Sequence, residues 1–249
     1  MSKHHLPYFL LSTALLLSAA TTGCSQPTTT PSPAVTLIDL SATTLPAVAA
    51  EFITSRQDDE HNHEKQDAQH EPVTWRFWRN DQEIRIERPQ LGIGELWQQD
   101  GHSLIHRKLY HADQRAIEFE QSDLNMLQAL PSWQKLALLL DKDLLAQLKH
   151  GDIEWRDGIP TREYQGNLNG TDWHIVMRLD LALPLLIEQH SEHAEMRTEL
   201  RQAYLLPMSP WQPTPTQGYD VIDYADLGDK EYDPFVIKVQ AQMGHDHAH

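Results

Sequence analysis

Apolar and polar residues alternate along two stretches of this chain, residues 73–120 and 152–206, and a period of two is typical of strands with one buried face. Turn-forming pairs divide both stretches into short segments, namely Asn80-Asp81 and Asp100-Gly101 in the first and Asn169-Gly170 in the second. The pattern therefore predicts two antiparallel meanders, each built from short strands joined by tight turns.

Between and after the meanders the apolar period lengthens to that of an α-helix. Ser122 and Ser132 are suitable N-caps for two short helices, and a third, leucine-rich helix is predicted over residues 142–149. A C-terminal helix is predicted to begin at Asp233-Pro234, because aspartate caps helices well and proline suits the first helical turn. A short helix is also predicted over residues 45–53, where a proline precedes an apolar run.

This order of elements, with strands, a helical insert, strands again and a terminal helix, predicts an α+β fold. In the predicted fold a curved antiparallel sheet, shaped as a half-open barrel, is covered by the helical insert and the C-terminal helix. The length of the chain fits a single domain, which we assign to residues 37–243. The side chains expected to line an apolar hollow on the concave face of the sheet are Trp75, Phe77, Trp97, Trp173, Ile175 and Met177.

The N-terminal segment has the three parts of a secretory signal: the basic residue Lys3, an apolar run from Leu6 to Ala20, and small residues before Cys24. The run is shorter than the roughly 20 apolar residues that a membrane-spanning helix needs. Cys24 is the only cysteine in the chain, and the segment that it closes resembles the lipobox of bacterial lipoproteins. An ordinary cleaved signal that leaves a free thiol is the alternative interpretation.

The lipobox resemblance implies that residues 1–23 are a signal peptide and that Cys24 carries acyl chains, two or more of which give stable anchoring. Ser25 rather than aspartate follows the cysteine. The resemblance therefore implies anchoring to the outer membrane, facing the periplasm, rather than to the inner membrane. The residues after the cysteine are rich in proline, serine and threonine, so that residues 24–36 are expected to form a flexible linker.

The order of elements behind the lipobox resembles the half-open antiparallel barrel of the periplasmic lipoprotein carriers and of their outer-membrane lipoprotein receptor. The resemblance spans residues 37–206 and concerns architecture alone. In that family helices cover a curved sheet, and the hollow between them takes acyl chains. The segment of residues 219–229 and the following Asp233-Pro234-Phe235 also resemble uncharacterised lipoproteins of Gram-negative bacteria. The resemblance to the carriers implies a binding protein whose partner is a lipid, a lipoprotein or another protein.

Composition narrows the classes of partner and of activity. The formal net charge of −16 at pH 7 repels the phosphates of nucleic acids, which we therefore exclude as partners. The sequence contains neither a Gly-x-Ser-x-Gly nor a His-Glu-x-x-His motif, and it has no glycine-rich phosphate loop. The sequence thus predicts a binding protein rather than an enzyme.

The histidines suggest an alternative function. They are concentrated in an acidic segment without large apolar residues, predicted to be a disordered insertion over residues 55–71, and in a C-terminal tail of residues 244–249. Imidazole is a common ligand of zinc, copper and nickel, so the alternative is buffering or delivery of these metals in the periplasm. The candidate ligands are His61, His63, His70, His245, His247 and His249. Solvated polar tracts are the other interpretation, in which case any ligands would lie among His102, His106, His111 and His174.

Overall fold

Thirteen strands form one sheet in the computed structural model, which describes residues 35–58, 71–101 and 103–246, with residues 242–246 described by their backbone alone. The strands are β1 (Val48–Asp58), β2 (Val73–Arg79), β3 (Glu83–Arg88), β4 (Ile93–Asp100), β5 (Ser103–Tyr110), β6 (Arg115–Phe119), β7 (Lys149–His150), β8 (Glu154–Arg156), β9 (Ile159–Leu168), β10 (Thr171–Arg178), β11 (Leu183–His190), β12 (Ala194–Leu205) and β13 (Asp220–Asp223).

The sheet is open and mostly antiparallel. Its strand order is β13-β6-β5-β4-β3-β2-β1-β12-β11-β10-β9-β7, and β8 pairs with β9. The two predicted meanders are β2–β6 and β9–β12, and the ladder between β1 and β12 joins them. Asn169 and Gly170, both with positive φ, form the tight turn between β9 and β10 that the sequence indicates. The predicted α+β fold with a curved antiparallel sheet is confirmed.

Four α-helices accompany the sheet in the described part of the chain: α1 (Gln121–Met126), α2 (Trp133–Leu138), α3 (Lys142–Gln147) and α4 (Pro234–Asp246). Ser132 caps α2, because its hydroxyl accepts a hydrogen bond from the Lys135 backbone N–H at 3.1 Å. α1 begins two residues earlier than predicted, with Glu120 rather than Ser122 as its cap. Within the described residues, no helix is long and apolar enough to span a bilayer.

The helices cover one face of the sheet, which we call the inner face, in two apolar clusters. The first lies over β1–β6, where Phe77 and Ile84 pack in one cluster with Leu138 of α2 and Val236 of α4. The second lies over β9–β11 and contains Leu145 of α3. Burial of a large apolar side chain is worth about 1.5–3 kcal/mol, so these clusters hold the helices on the sheet.

Arg79 connects the end of β2 to three other segments of the backbone. Its guanidinium is 2% exposed and donates hydrogen bonds to the carbonyl oxygens of Pro46, Ala137, Leu181 and Ala182. Burial lowers the pKa of Arg79 to about 10, which still leaves the side chain charged at neutral pH. A charge-assisted hydrogen bond is stronger than a neutral one. The buried Arg79 therefore holds β2, α2 and the segment before β11 together.

The proline-rich segment after β12 crosses the opposite, outer face of the sheet, and we call residues 209–219 the strap. Glu87 of β3 accepts hydrogen bonds from the Thr214 N–H at 2.8 Å and from its hydroxyl at 2.9 Å. Arg85 pairs with Glu87 at 2.8 Å and donates to the Thr214 carbonyl oxygen. The strap then leads to β13, which pairs in parallel with β6.

Further sequence-based expectations differ from the structure. Residues 48–53, predicted as helix, belong to β1; Val48, Ala49 and Ala50 are fully buried in a central strand, and such an apolar run does not distinguish a helix from a strand. β1 continues through residues 55–58, which were assigned to the insertion, and residues 59–70 lie outside the described residues. Residues 220–223, to which the sequence pattern assigns no strand, form β13, and Ile222 is buried in the first cluster.

Candidate functional site

The six side chains predicted to line a hollow all lie on the inner face of the sheet. Phe77 and Trp97 are buried in the first apolar cluster and Ile175 and Met177 in the second, while Trp75 and Trp173 pack against these clusters as partly buried residues. The structure therefore places these side chains among the packed core residues of the inner face. Their participation in ligand binding stays a prediction.

An open groove of about 480 Å³ lies beside the second cluster, between the inner face of β9 and helix α3. Tyr164 and Arg162 of β9 lie at the sheet side of the groove, and Leu145 and Ala146 of α3 line it from the helix side. The remaining wall is the segment of residues 37–41, which precedes β1. Most of the lining residues are apolar, so the groove suits an aliphatic ligand.

Backbone contacts hold the wall of residues 37–41 against the second meander. The Ile38 N–H donates to the Leu179 carbonyl oxygen at 2.9 Å, and Gln134 of the α1–α2–α3 insert donates from its side chain to the Leu40 carbonyl oxygen at 2.7 Å. Leu40 itself packs against both apolar clusters. This wall is thus attached to the sheet on one side and to the helical insert on the other.

Helix α3 forms the wall of the groove opposite β9. A capping residue at its start and buried leucines fix it in this place. The Asp141 carboxylate caps the helix by accepting from the Asp143 N–H at 2.9 Å. Leu145 and Leu148 are buried in the second cluster. A Cβ atom at Gly166 would lie 3.1 Å from a methyl group of Leu148, so the glycine lets the end of the helical insert approach β9 closely.

Besides Tyr164, four ionisable side chains accompany the apolar lining: Asp39, Lys142, His150 and Arg162. Hydrogen bonds from the Ser41 backbone N–H and hydroxyl lower the pKa of Asp39, although burial raises it slightly, so this carboxylate is ionised at neutral pH. Arg162 and Lys142 are both positively charged at that pH. The groove thus combines an apolar surface with a small set of charges.

A second, more polar cleft of about 1060 Å³ is formed by residues of β7 and of β9–β12. His174 is central to it: its Nδ1 lies 2.6 Å from a Glu188 oxygen, and its Nε2 lies 2.8 Å from a Glu163 oxygen. Glu188 also pairs with Arg197 of β12. Hydrogen bonds from His174 and Gln165 lower the pKa of Glu163 against the opposing effect of burial. These contacts connect four adjacent strands and leave neither ring nitrogen of His174 free.

In the parts of the chain that the structure describes, no three histidine, cysteine or acidic side chains are arranged to hold a metal ion. His61, His63, His70, His247 and His249 lie outside the described residues, as do Cys24 and His102, and the side chain of His245 is not described either. The described histidines His106, His111 and His174 do not belong to any such group of possible metal ligands. The metal-binding alternative therefore stays a prediction.

Sequence patterns do not single out Arg162, Lys142 or the wall of residues 37–41. One signal was available, because Arg162 occurs two residues before Tyr164 in the predicted strand and therefore on the same, core-facing side. The approach of the N-terminal segment to Leu179 depends on a contact across some 140 residues, which periodicity does not reveal.

No protein-family model matches the chain, and no curated protein matches it either. Solved structures with some similarity include MucB in a MucA/MucB complex from Pseudomonas aeruginosa, with 16% identity over 66% of this chain and 53% of that one, at a TM-score of 0.34. MucB alone matches with 16% identity over 69% of this chain and 57% of that one, at a TM-score of 0.33.

PNGF-II matches with 7% identity over 74% of this chain, at a TM-score of 0.36. This chain spans between 33% and 57% of the length of these solved structures. With TM-scores below 0.5, the similarities carry no conclusion about what this chain binds or does.

Proposed function

We propose that this chain is a lipid-anchored, non-enzymatic binding protein of the bacterial outer membrane, facing the periplasm, and that its ligand is the aliphatic chain of a lipid. The observation that supports the proposal is the groove between β9 and α3, because its lining is mostly apolar and its volume of about 480 Å³ lies within the roughly 300–1,000 Å³ of small-molecule sites. The anchor rests on the lipobox resemblance around Cys24, and the absence of an activity rests on the absence of catalytic motifs in the sequence.

The test is to narrow the groove without disturbing the core. Ala146 is exposed and lines the groove from α3, so Ala146→Trp places an indole ring in the space that the ligand would occupy. Gln147→Trp is the matched control, since Gln147 is exposed on the same helix but does not line the groove. The ligand is dodecanol, and its binding to the full chain carrying Cys24→Ser is measured by equilibrium dialysis.

We expect Ala146→Trp to weaken dodecanol binding by at least about tenfold, which corresponds to about 1.4 kcal/mol, and Gln147→Trp to bind as the parent protein does. Unchanged binding in Ala146→Trp, or no binding of dodecanol by the parent protein, would contradict the proposal.

A further inference from the structure

The groove contains an arginine whose charge no described side chain balances. Arg162 lies on the inner face of β9, directly opposite the buried Met177 of β10. Its Nε atom is buried and has no hydrogen-bond partner among the residues that the structure describes. The other arginines in the described part of the chain all make a hydrogen bond or an ion pair: Arg56, Arg76, Arg79, Arg85, Arg88, Arg107, Arg115, Arg156, Arg178, Arg197 and Arg201.

The groove itself offers Arg162 no such partner. Asp39 is the one carboxylate in the lining, and its side chain already accepts from the Ser41 N–H at 2.9 Å and from the Ser41 hydroxyl at 2.8 Å. Lys142 adds a second cation to the lining. Apart from His150, the charged side chains of the described lining are two cations and one carboxylate, which leave one unbalanced positive charge beside apolar residues, where an unpaired charge is costly.

We propose that Arg162 binds the carboxylate of a fatty acid whose aliphatic chain occupies the groove. This inference rests on the proposed function and deepens it, because it names the class of lipid. A guanidinium group matches the two oxygens of a carboxylate with two parallel hydrogen bonds. A monocarboxylate also neutralises the single unbalanced charge of the lining, whereas a phosphate monoester carries up to about two negative charges and would leave a net negative groove.

The test compares ligands that differ only in their polar end. Dodecanoate, dodecanol and dodecyl phosphate are each titrated into the full chain carrying Cys24→Ser, so that no acyl chain of the protein itself is present. The parent protein is compared with Arg162→Gln, which removes the charge but keeps a polar side chain. Arg156→Gln is the matched control, because Arg156 lies on the adjacent β8, is exposed and is not part of the groove. Thermal unfolding of each variant shows whether it is folded.

We expect the parent protein and Arg156→Gln to bind dodecanoate about tenfold to a hundredfold more tightly than dodecanol, which is the range of a hydrogen bond to a charged group. Arg162→Gln should lose this difference and keep its affinity for dodecanol. If Arg162→Gln does not fold, the ratio of the affinities of the parent protein for dodecanoate and dodecanol tests the inference.

Equal binding of dodecanoate and dodecanol by the parent protein would overturn the inference and leave the proposed function standing. Tighter binding of dodecyl phosphate than of dodecanoate would also overturn it, since the ligand class would then be a phosphate. If none of the three ligands binds, both the inference and the proposed function are wrong.

Discussion

His106 is a buried histidine between two aromatic rings on the inner face of the first meander. Its ring stacks on Trp97 with a centroid distance of 3.8 Å, and Phe119 lies on its other side at 5.4 Å. Burial lowers the pKa of His106 to about 4, although the Glu95 carboxylate, 3.7 Å from Nε2, raises it; Lys108 lowers it further. The folded protein therefore holds this imidazole in its neutral form at neutral pH.

This histidine should make the folded state sensitive to acid. The pKa of His106 is near 6.5 in the unfolded chain and about 4 in the folded protein. The contribution of His106 to the free energy of unfolding is therefore fully present above pH 6.5 and is lost as the pH falls towards 4. The loss amounts to about 3 kcal/mol at about 1.4 kcal/mol per pKa unit. We expect His106→Phe, which keeps a ring between Trp97 and Phe119, to remove that part of the pH dependence in urea unfolding measured at several pH values.

The exposed His193 provides the control, because His193→Gln should leave the pH dependence unchanged. A His106→Phe variant whose stability still falls by the same amount between pH 6.5 and 4 would show that another group titrates in this range.

At the same scale, Arg162 shows what single-sequence reasoning can find. Its place on the core-facing side of a strand follows from alternation with Tyr164, and this much can be predicted. That no described side chain forms an ion pair with Arg162 cannot be predicted, because an ion pair depends on side chains brought together from distant elements. Glu87 illustrates the same limit, since its hydrogen-bond donor Thr214 follows it by 127 residues.

Among the elements, the strap is held to the outer face by a buried ion pair. Arg85 and Glu87 have side chains only 7% and 6% exposed, and both contact Thr214. Removal of one member of a buried pair typically costs about 3–5 kcal/mol, because the other charge is left uncompensated. We expect Glu87→Ala to destabilise the protein by about this amount and to open residues 209–219 to limited proteolysis, which is followed by mass spectrometry of the fragments.

Glu83→Ala is a suitable comparison on the same strand, since in the described part of the chain no hydrogen bond or ion pair joins the Glu83 side chain to the strap. Equal cleavage of both variants, or cleavage of Glu87→Ala at sites outside the strap first, would argue against the ion pair as its attachment.

Most elements of the fold can be predicted from the periodicity of apolar residues in the sequence. Both meanders, the helical insert and the C-terminal helix follow from local patterns, because each strand has one apolar face and each helix a recognisable start. β1 and β13 do not follow, since β1 has an apolar run without a clear period and β13 is a strand of four residues in an acidic segment. In both cases pairing with a distant strand decides the conformation.

The proposed lipid anchor at Cys24 can be tested by acylation and by cell fractionation. We expect Cys24→Ala to abolish incorporation of labelled palmitate and to move the protein from the membrane fraction to the soluble periplasmic fraction. Ser25→Ala should remain acylated and in the membrane fraction. Palmitate labelling of Cys24→Ala would exclude Cys24 as the attachment site.

The ladder between β1 and β12 pairs two strands that are far apart in the sequence, which affects the order in which the sheet forms. Within each meander the paired strands are neighbours in sequence, so each meander closes only short loops. The β1–β12 ladder, in contrast, pairs Asp58 with Ala194 at its nearer end and can form only after a loop of more than 130 residues has closed. Since folding slows as contacts become less local, we expect the two meanders to acquire structure early and the joining of β1 to β12 to be the slow step that completes the sheet.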